Sequence, residues 1–150
     1  MEQVAAERIR NAHRRVLKKG GKIDDDSPPE RLHRLRIDCK KLRYLLEFFA
    51  ALYPKDDVRP LIDALKKLQD NLGDFNDLAV ERDLLGRYLG RLSDEGGDAA
   101  AEGREAATRL IAGLHEKQAA TRAAFRKKFD AFSGDEVTGR FRRLFGEPAP

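Results

Sequence analysis

Apolar residues recur along this chain at helical spacing, and no stretch alternates as a β-strand would. Ala5, Ile9, Ala12 and Val16 form one stripe and predict a helix from about Glu2 to Lys19. Gly20-Gly21 reads as its stop. In the loop Asp24-Asp25-Asp26-Ser27-Pro28-Pro29, Ser27 is the expected N-cap of the next helix. Pro28 suits a first turn, and Glu30 completes a capping box with Ser27. A second helix is predicted from about Pro28 to Leu52. Its apolar positions Leu32, Leu35, Cys39, Leu42, Leu46 and Phe49 are spaced 3, 4, 3, 4, 3, a core-facing seam. Tyr53-Pro54 ends it.

Further helices are expected at about Asp56–Leu72 and Asn76–Arg91, separated by a break or kink at Gly73. Leu61, Leu65, Leu68 and Leu72 mark the face of the first, and Leu78, Leu85, Leu89 and Leu92 that of the second. After the loop Asp94-Glu95-Gly96-Gly97-Asp98, a long helix runs from about Ala99 to Phe132 with Leu110, Leu114, Phe125, Phe129 and Phe132. A short helix through Phe145 follows Ser133-Gly134-Asp135. One stripe per helix and short connections predict an all-α, antiparallel helical bundle. Residues 1–146 read as one domain and 147–150 as a frayed tail.

The 150 residues suffice for one domain with a real core, and 41% hydrophobic content excludes a disordered chain. Apolar runs are too short to span a membrane, and Met1-Glu2-Gln3 does not begin a signal peptide. A lone Cys39 excludes an internal disulfide and fits a cytoplasmic setting. Net charge is only +4, but it is segregated: residues 1–43 carry +6, residues 44–103 carry −6, and residues 104–143 carry +5.

The second helix holds a second seam. His33, Arg36, Lys40 and Arg43 each follow a core position by one residue, so they line one edge of the helix over roughly 15 Å. A solvated face is the ordinary reading of such a row. That reading predicts interspersed acids at i+4, and none occurs on the row before Glu47. Like charges at this spacing repel, and an anion laid along them relieves the repulsion. Lys41 lies on the other flank, near Arg34. Arg8, Arg15 and Lys18 share one face of the first helix, with Arg10 and Arg14 on a neighbouring one. If the two helices are neighbours, their basic edges form the walls of a groove. Arg122 and Arg126 are candidates for a third wall, against the simpler reading of a solvated pair. Arg and Lys both suit phosphate, the first by bidentate hydrogen bonds and the second as a point charge.

The stretch Leu32-His33-Arg34-Leu35-Arg36-Ile37-Asp38-Cys39-Lys40-Lys41-Leu42-Arg43-Tyr44 resembles the histidine helix of the CHAD domain, the conserved histidine α-helical domain. Leu68-Gln69-Asp70-Asn71-Leu72-Gly73-Asp74-Phe75-Asn76-Asp77 resembles that family's second element. The resemblance implies a helical domain that binds inorganic polyphosphate, associated with polyphosphate granules. By motif position it gives the anion-contact role to His33, Arg36, Lys40, Lys41 and Arg43, and less sharply to Arg15 and Lys18, while Arg14 is a candidate from its place on the first helix. A complete domain of this family has two repeats, each with its own histidine helix, and only one is found here. The chain resembles the second repeat. It is expected to be either an excised half or one member of a homodimer that rebuilds the pair.

Catalysis is not expected. Asp70, Asp74 and Asp77 do not follow a calcium-loop pattern. Gln69, Asn76 and Asp77 read better as caps of a kink at Gly73 or as supports for the basic side chains. His13, His33 and His115 lack metal-ligand spacing, so neither metal nor cofactor is expected. The alternatives are a nucleic-acid module, a polyphosphatase, and a helical module for an acidic protein partner. Against nucleic acid stand the absence of Trp and of aromatic rings interleaved with the basic rows.

Overall fold

The computed structural model describes residues 1–147; of the expected tail, only Glu147 falls within them. The chain is all-α. Helix α1 spans Glu2–Gly21, α2 Pro29–Phe48, α3 Lys55–Ser93, α4 Asp98–Phe132 and α5 Asp135–Phe145, with a 3₁₀ turn at Ala50–Leu52. The seams predicted for the first two helices are the ones that bury. Ile9, Val16, Leu35, Cys39 and Leu42 are each 0% exposed. They meet Leu61, Leu65 and Leu68 of α3, the α4 rings Phe125, Phe129 and Phe132, and Phe141 and Phe145 of α5.

Three local expectations are corrected. First, Gly20 does not stop α1. The helix runs through Gly21 and ends on Lys22 in a right-handed conformation. Gly20 is buried, and a Cβ there would stand 2.0 Å from the Phe129 ring. The glycine is needed for packing. Second, Ser27 does not cap α2. Its hydroxyl accepts from Asp24 N–H at 2.9 Å and donates to Asp24 Oδ1 at 3.1 Å, closing the loop on itself. Pro28 takes the N-cap position without a side-chain bond. Third, Gly73 neither breaks nor kinks the chain out of helix, because α3 is one helix of 39 residues. Leu65, Leu68, Leu72 and Phe75 continue one buried face across Gly73. An interior glycine costs only about 1 kcal/mol against alanine, too little to end a helix packed along that face.

At ~1.5 Å per residue α3 reaches roughly 60 Å, about twice α1 or α2. Its second half pairs with the first half of α4 as an antiparallel arm. Arg104 donates to Leu92 O at 2.7 Å near the turn, Arg82 to Gln118 at 2.5 Å along the arm, and Asn71 Nδ2 to Thr121 O at 3.0 Å where the arm joins the core. The arm buries less than the repeating leucines predict. Leu110 is 57% exposed, and Leu78, Leu85, Leu89 and Leu114 are half-buried.

Helix α5 closes the bundle against α1. The His13 imidazole stacks on Phe141 with ring centres 3.7 Å apart and meets the edge of Phe132. Burial holds its pKa down at about 4. Between pH 6.5 and 4 the unfolded chain therefore binds a proton that the folded chain refuses. Stability should fall as pH drops through that window, by up to about 1.4 kcal/mol per pH unit from this one group. Urea midpoints measured from pH 7 to pH 4 check this: His13→Phe should flatten the decline.

Candidate functional site

The basic row of α2 is in place, and its members differ in burial. His33 and Lys40 are exposed, while Arg36 and Arg43 are half-buried. Arg36 lies along α3: a Cβ on Gly73 would be 3.6 Å from its Nε. That Nε is buried without a hydrogen-bond partner, as is Oε1 of Gln69 on α3. Arg43 Nε stands 3.5 Å from Glu47 Oε1, too long for a good hydrogen bond. Among the described residues, His33, Arg36 and Lys40 have no acidic partner, so this flank of α2 carries uncompensated positive charge.

The acid within the motif turns the other way. Asp38 is 6% exposed, and Lys19 Nζ of α1 lies 2.5 Å from its Oδ2. This pair ties α1 to α2 and takes Asp38 out of competition for the row. Cys39 beside it is fully buried, and burial with the Asp38 charge pushes its thiol up to about 12. It is a core residue with no thiolate at neutral pH.

Helices α1 and α2 are neighbours, as a groove requires. Arg8, Arg15, Lys41, Tyr44, Leu45 and Phe48 line the groove between them, of about 530 Å³. The His33 row does not line it. Two basic surfaces thus replace the single expected groove: the row on the α3 side of α2, and Arg8, Arg15 and Lys41 on the α1 side. Lys18 is exposed. Arg14 joins neither surface; with Arg10 and His13 it faces α5.

Arg122 and Arg126 do something other than line a third wall. Arg122 Nη1 donates to Asp24 O, Asp25 O and Ser27 O, each at 2.8 Å. Its guanidinium lies 5.1 Å from the Phe75 ring centre. Arg126 donates to Ile23 O at 2.9 Å. Both hold the α1–α2 loop onto α4. Arg122→Ala should cost about 1.5–3 kcal/mol, typical of hydrogen bonds to a charged group. Faster amide exchange at residues 24–27, with a lowered urea midpoint, is the expected readout.

The expectation that no aromatic ring accompanies the basic side chains is also corrected. Tyr44 is 50% exposed, with Arg43 Cζ 5.6 Å and Lys40 Nζ 5.8 Å from its ring centre. Phe48, one turn on, is 80% exposed. Tyr44 follows Arg43 directly in sequence, and that adjacency is the signal for a ring beside the cations.

A family model, that of the CHAD domain, matches residues 1–86, more than half of the chain. The chain belongs to the CHAD family. CHAD domains are associated with polyphosphate-related proteins. No curated protein matches the chain. The CHAD match takes in α1, α2 and most of α3, including both motif stretches. Helix α4 and helix α5 lie beyond it, yet they supply Phe125, Phe129, Phe132, Phe141 and Phe145 to the same core. Among the described residues no helix is long and apolar enough to cross a membrane.

Proposed function

We propose that this CHAD domain binds inorganic polyphosphate, without catalysing its turnover, along the α2 row His33, Arg36, Lys40 and Arg43. The observation that carries the reading is the row itself: aligned cationic side chains with no acid in register before Glu47, while Asp38 is held by Lys19. A linear polyanion offers a charge at short, regular intervals and neutralises such a row without requiring a shaped pocket. Lys41 and Arg15, facing each other across the α1–α2 groove, offer a second track for the same polymer. Arginine fixes the phosphate oxygens by charge-assisted hydrogen bonds, and lysine adds mobile charge. Family association and the lone buried Cys39 support a cytoplasmic, granule-associated setting.

Single-stranded nucleic acid is the second reading, favoured by Tyr44 and Phe48 beside the cations, since exposed rings stack bases. Competition at fixed salt separates the two. Polyphosphate should displace labelled RNA at equal or lower phosphate concentration. RNA that holds its place against excess polyphosphate would favour the second reading. Phosphate release on incubation with polyphosphate and Mg²⁺ would overturn the non-catalytic part.

A further inference from the structure

The outer face of α3 and α4 carries one long groove. Three hollows of about 410, 430 and 560 Å³ follow one another along it, joined by shared lining at Asp74, Thr121 and Lys117. At 3.6 residues per turn, Asp70 and Asp74 each stand roughly 160° around α3 from the buried Leu72, so the groove opens on the far side of α3 from the core. Its two edges differ in sign. Along α3 stand Asp70, Asp74, Asp77 and Glu81, all exposed, with Lys67 at the core end. Along α4 the charged lining is Arg109, Lys117 and Lys128, with no acid. None of these side chains is in an ion pair among the described residues. Toward the tip of the arm the lining turns apolar. Leu84 and Leu110 are each 57% exposed, beside the half-buried Leu85 and Leu114. An apolar helix face needs a further layer to cover it, and among the described residues no other helix does so here.

A polymer of one sign would meet like charge along one edge. A face with an acidic edge, a basic edge and leucines between them is complementary to itself. We propose that this face pairs with the same face of a second copy, about a twofold axis running along the groove. That axis sets α3 of each copy against α4 of the other. The bonds from Asn71 to Thr121 and from Arg104 to Leu92 fix the register of the two helices. Asp77 is therefore level with Lys117, and Glu81 is within about one turn of Arg109. Across the axis Asp77 meets the partner's Lys117, and Glu81 meets the partner's Arg109. The leucines of the two arms close a four-helix core. From Asp70 to Tyr88 the face runs about 27 Å, and two helices are roughly 20 Å across, so pairing covers about 1,100 Å² in total, just past the ~1,000 Å² of a specific interface. Both α2 rows stay uncovered, unlike in a dimer that brings the His33 helices together.

Sedimentation velocity of the full chain over a concentration series, without polyphosphate, tests this. The expected result is a reversible monomer–dimer equilibrium. Leu110→Gln should weaken it by about tenfold or more, with helicity by circular dichroism unchanged. Asp77→Lys combined with Glu81→Lys should leave the chain monomeric, and so should Arg109→Glu combined with Lys117→Glu. Mixing these two charge-reversed chains in equal amounts should restore a dimer, because an acidic groove then meets a basic one. A native chain that stays monomeric up to millimolar concentration would overturn the proposal. So would a dimer that survives Leu110→Gln and both reversals, or reversed chains that stay apart when mixed. Polyphosphate binding by α2 is independent of all these outcomes.

Discussion

Arg36→Ala should weaken polyphosphate binding by about ten- to a hundredfold, the equivalent of one charge-assisted hydrogen bond worth about 1.5–3 kcal/mol. Arg36 is at the middle of the row and half-buried against Gly73, so its guanidinium is more constrained than the exposed His33 and Lys40 side chains. Less entropy remains to be lost when it meets an oxygen. It makes no intramolecular ion pair among the described residues, so its removal should leave the thermal midpoint almost unchanged. Lys40→Ala should act in the same direction and more weakly, because its ammonium is exposed and mobile. The control is Arg91→Ala, on the solvent face of the arm. Arg104 is unsuitable as a control, since it holds the carbonyls of Leu92 and Glu95 at the α3–α4 turn. Titration of each variant with polyphosphate at one salt concentration gives the comparison. Equal losses in all of them would mean diffuse attraction with no preferred track.

Adjacent glycines should respond oppositely to the same substitution. Gly20→Ala should destabilise the fold by about 3 kcal/mol, the upper end of ordinary overpacking costs. The added methyl would press on the Phe129 ring, itself 6% exposed and stacked near Phe125, so the ring has little room to withdraw. Helix propensity alone favours alanine by about 1 kcal/mol and opposes this loss. Gly21→Ala meets nothing within 4 Å and should gain up to about 1 kcal/mol. Urea denaturation of the two variants measures both signs. A neutral Gly20→Ala would mean that α4 is not seated on α1 as described.

The apolar seams of α1 and α2 were readable because a repeat of 3 and 4 leaves one buried face whatever the neighbours are. The same repeat misled in the arm. Leu110 is in register with the core leucines, but among the described residues no third helix covers that part of the α3–α4 pair. Glycine was the least legible residue. Gly20 and Gly73 look like punctuation, and their meaning depends on Phe129 and Arg36, which come from distant parts of the chain. The row His33 to Arg43 was legible because one helix carries all of it. Arg122 and Arg126 were not, since their partners are backbone carbonyls of residues 23–27 that have no signature in composition. Asp38 sat in plain view one residue before Cys39, but its removal from the row needed Lys19 from another helix.

The most direct test of the polyphosphate account is the salt dependence of binding, measured for the native chain and for Arg36→Ala with Lys40→Ala combined. With about three cations engaged, log affinity should fall against log salt with a slope of roughly −2 to −3, and the double variant should lose about two-thirds of that slope. A slope unchanged by the two substitutions would contradict binding along the α2 row.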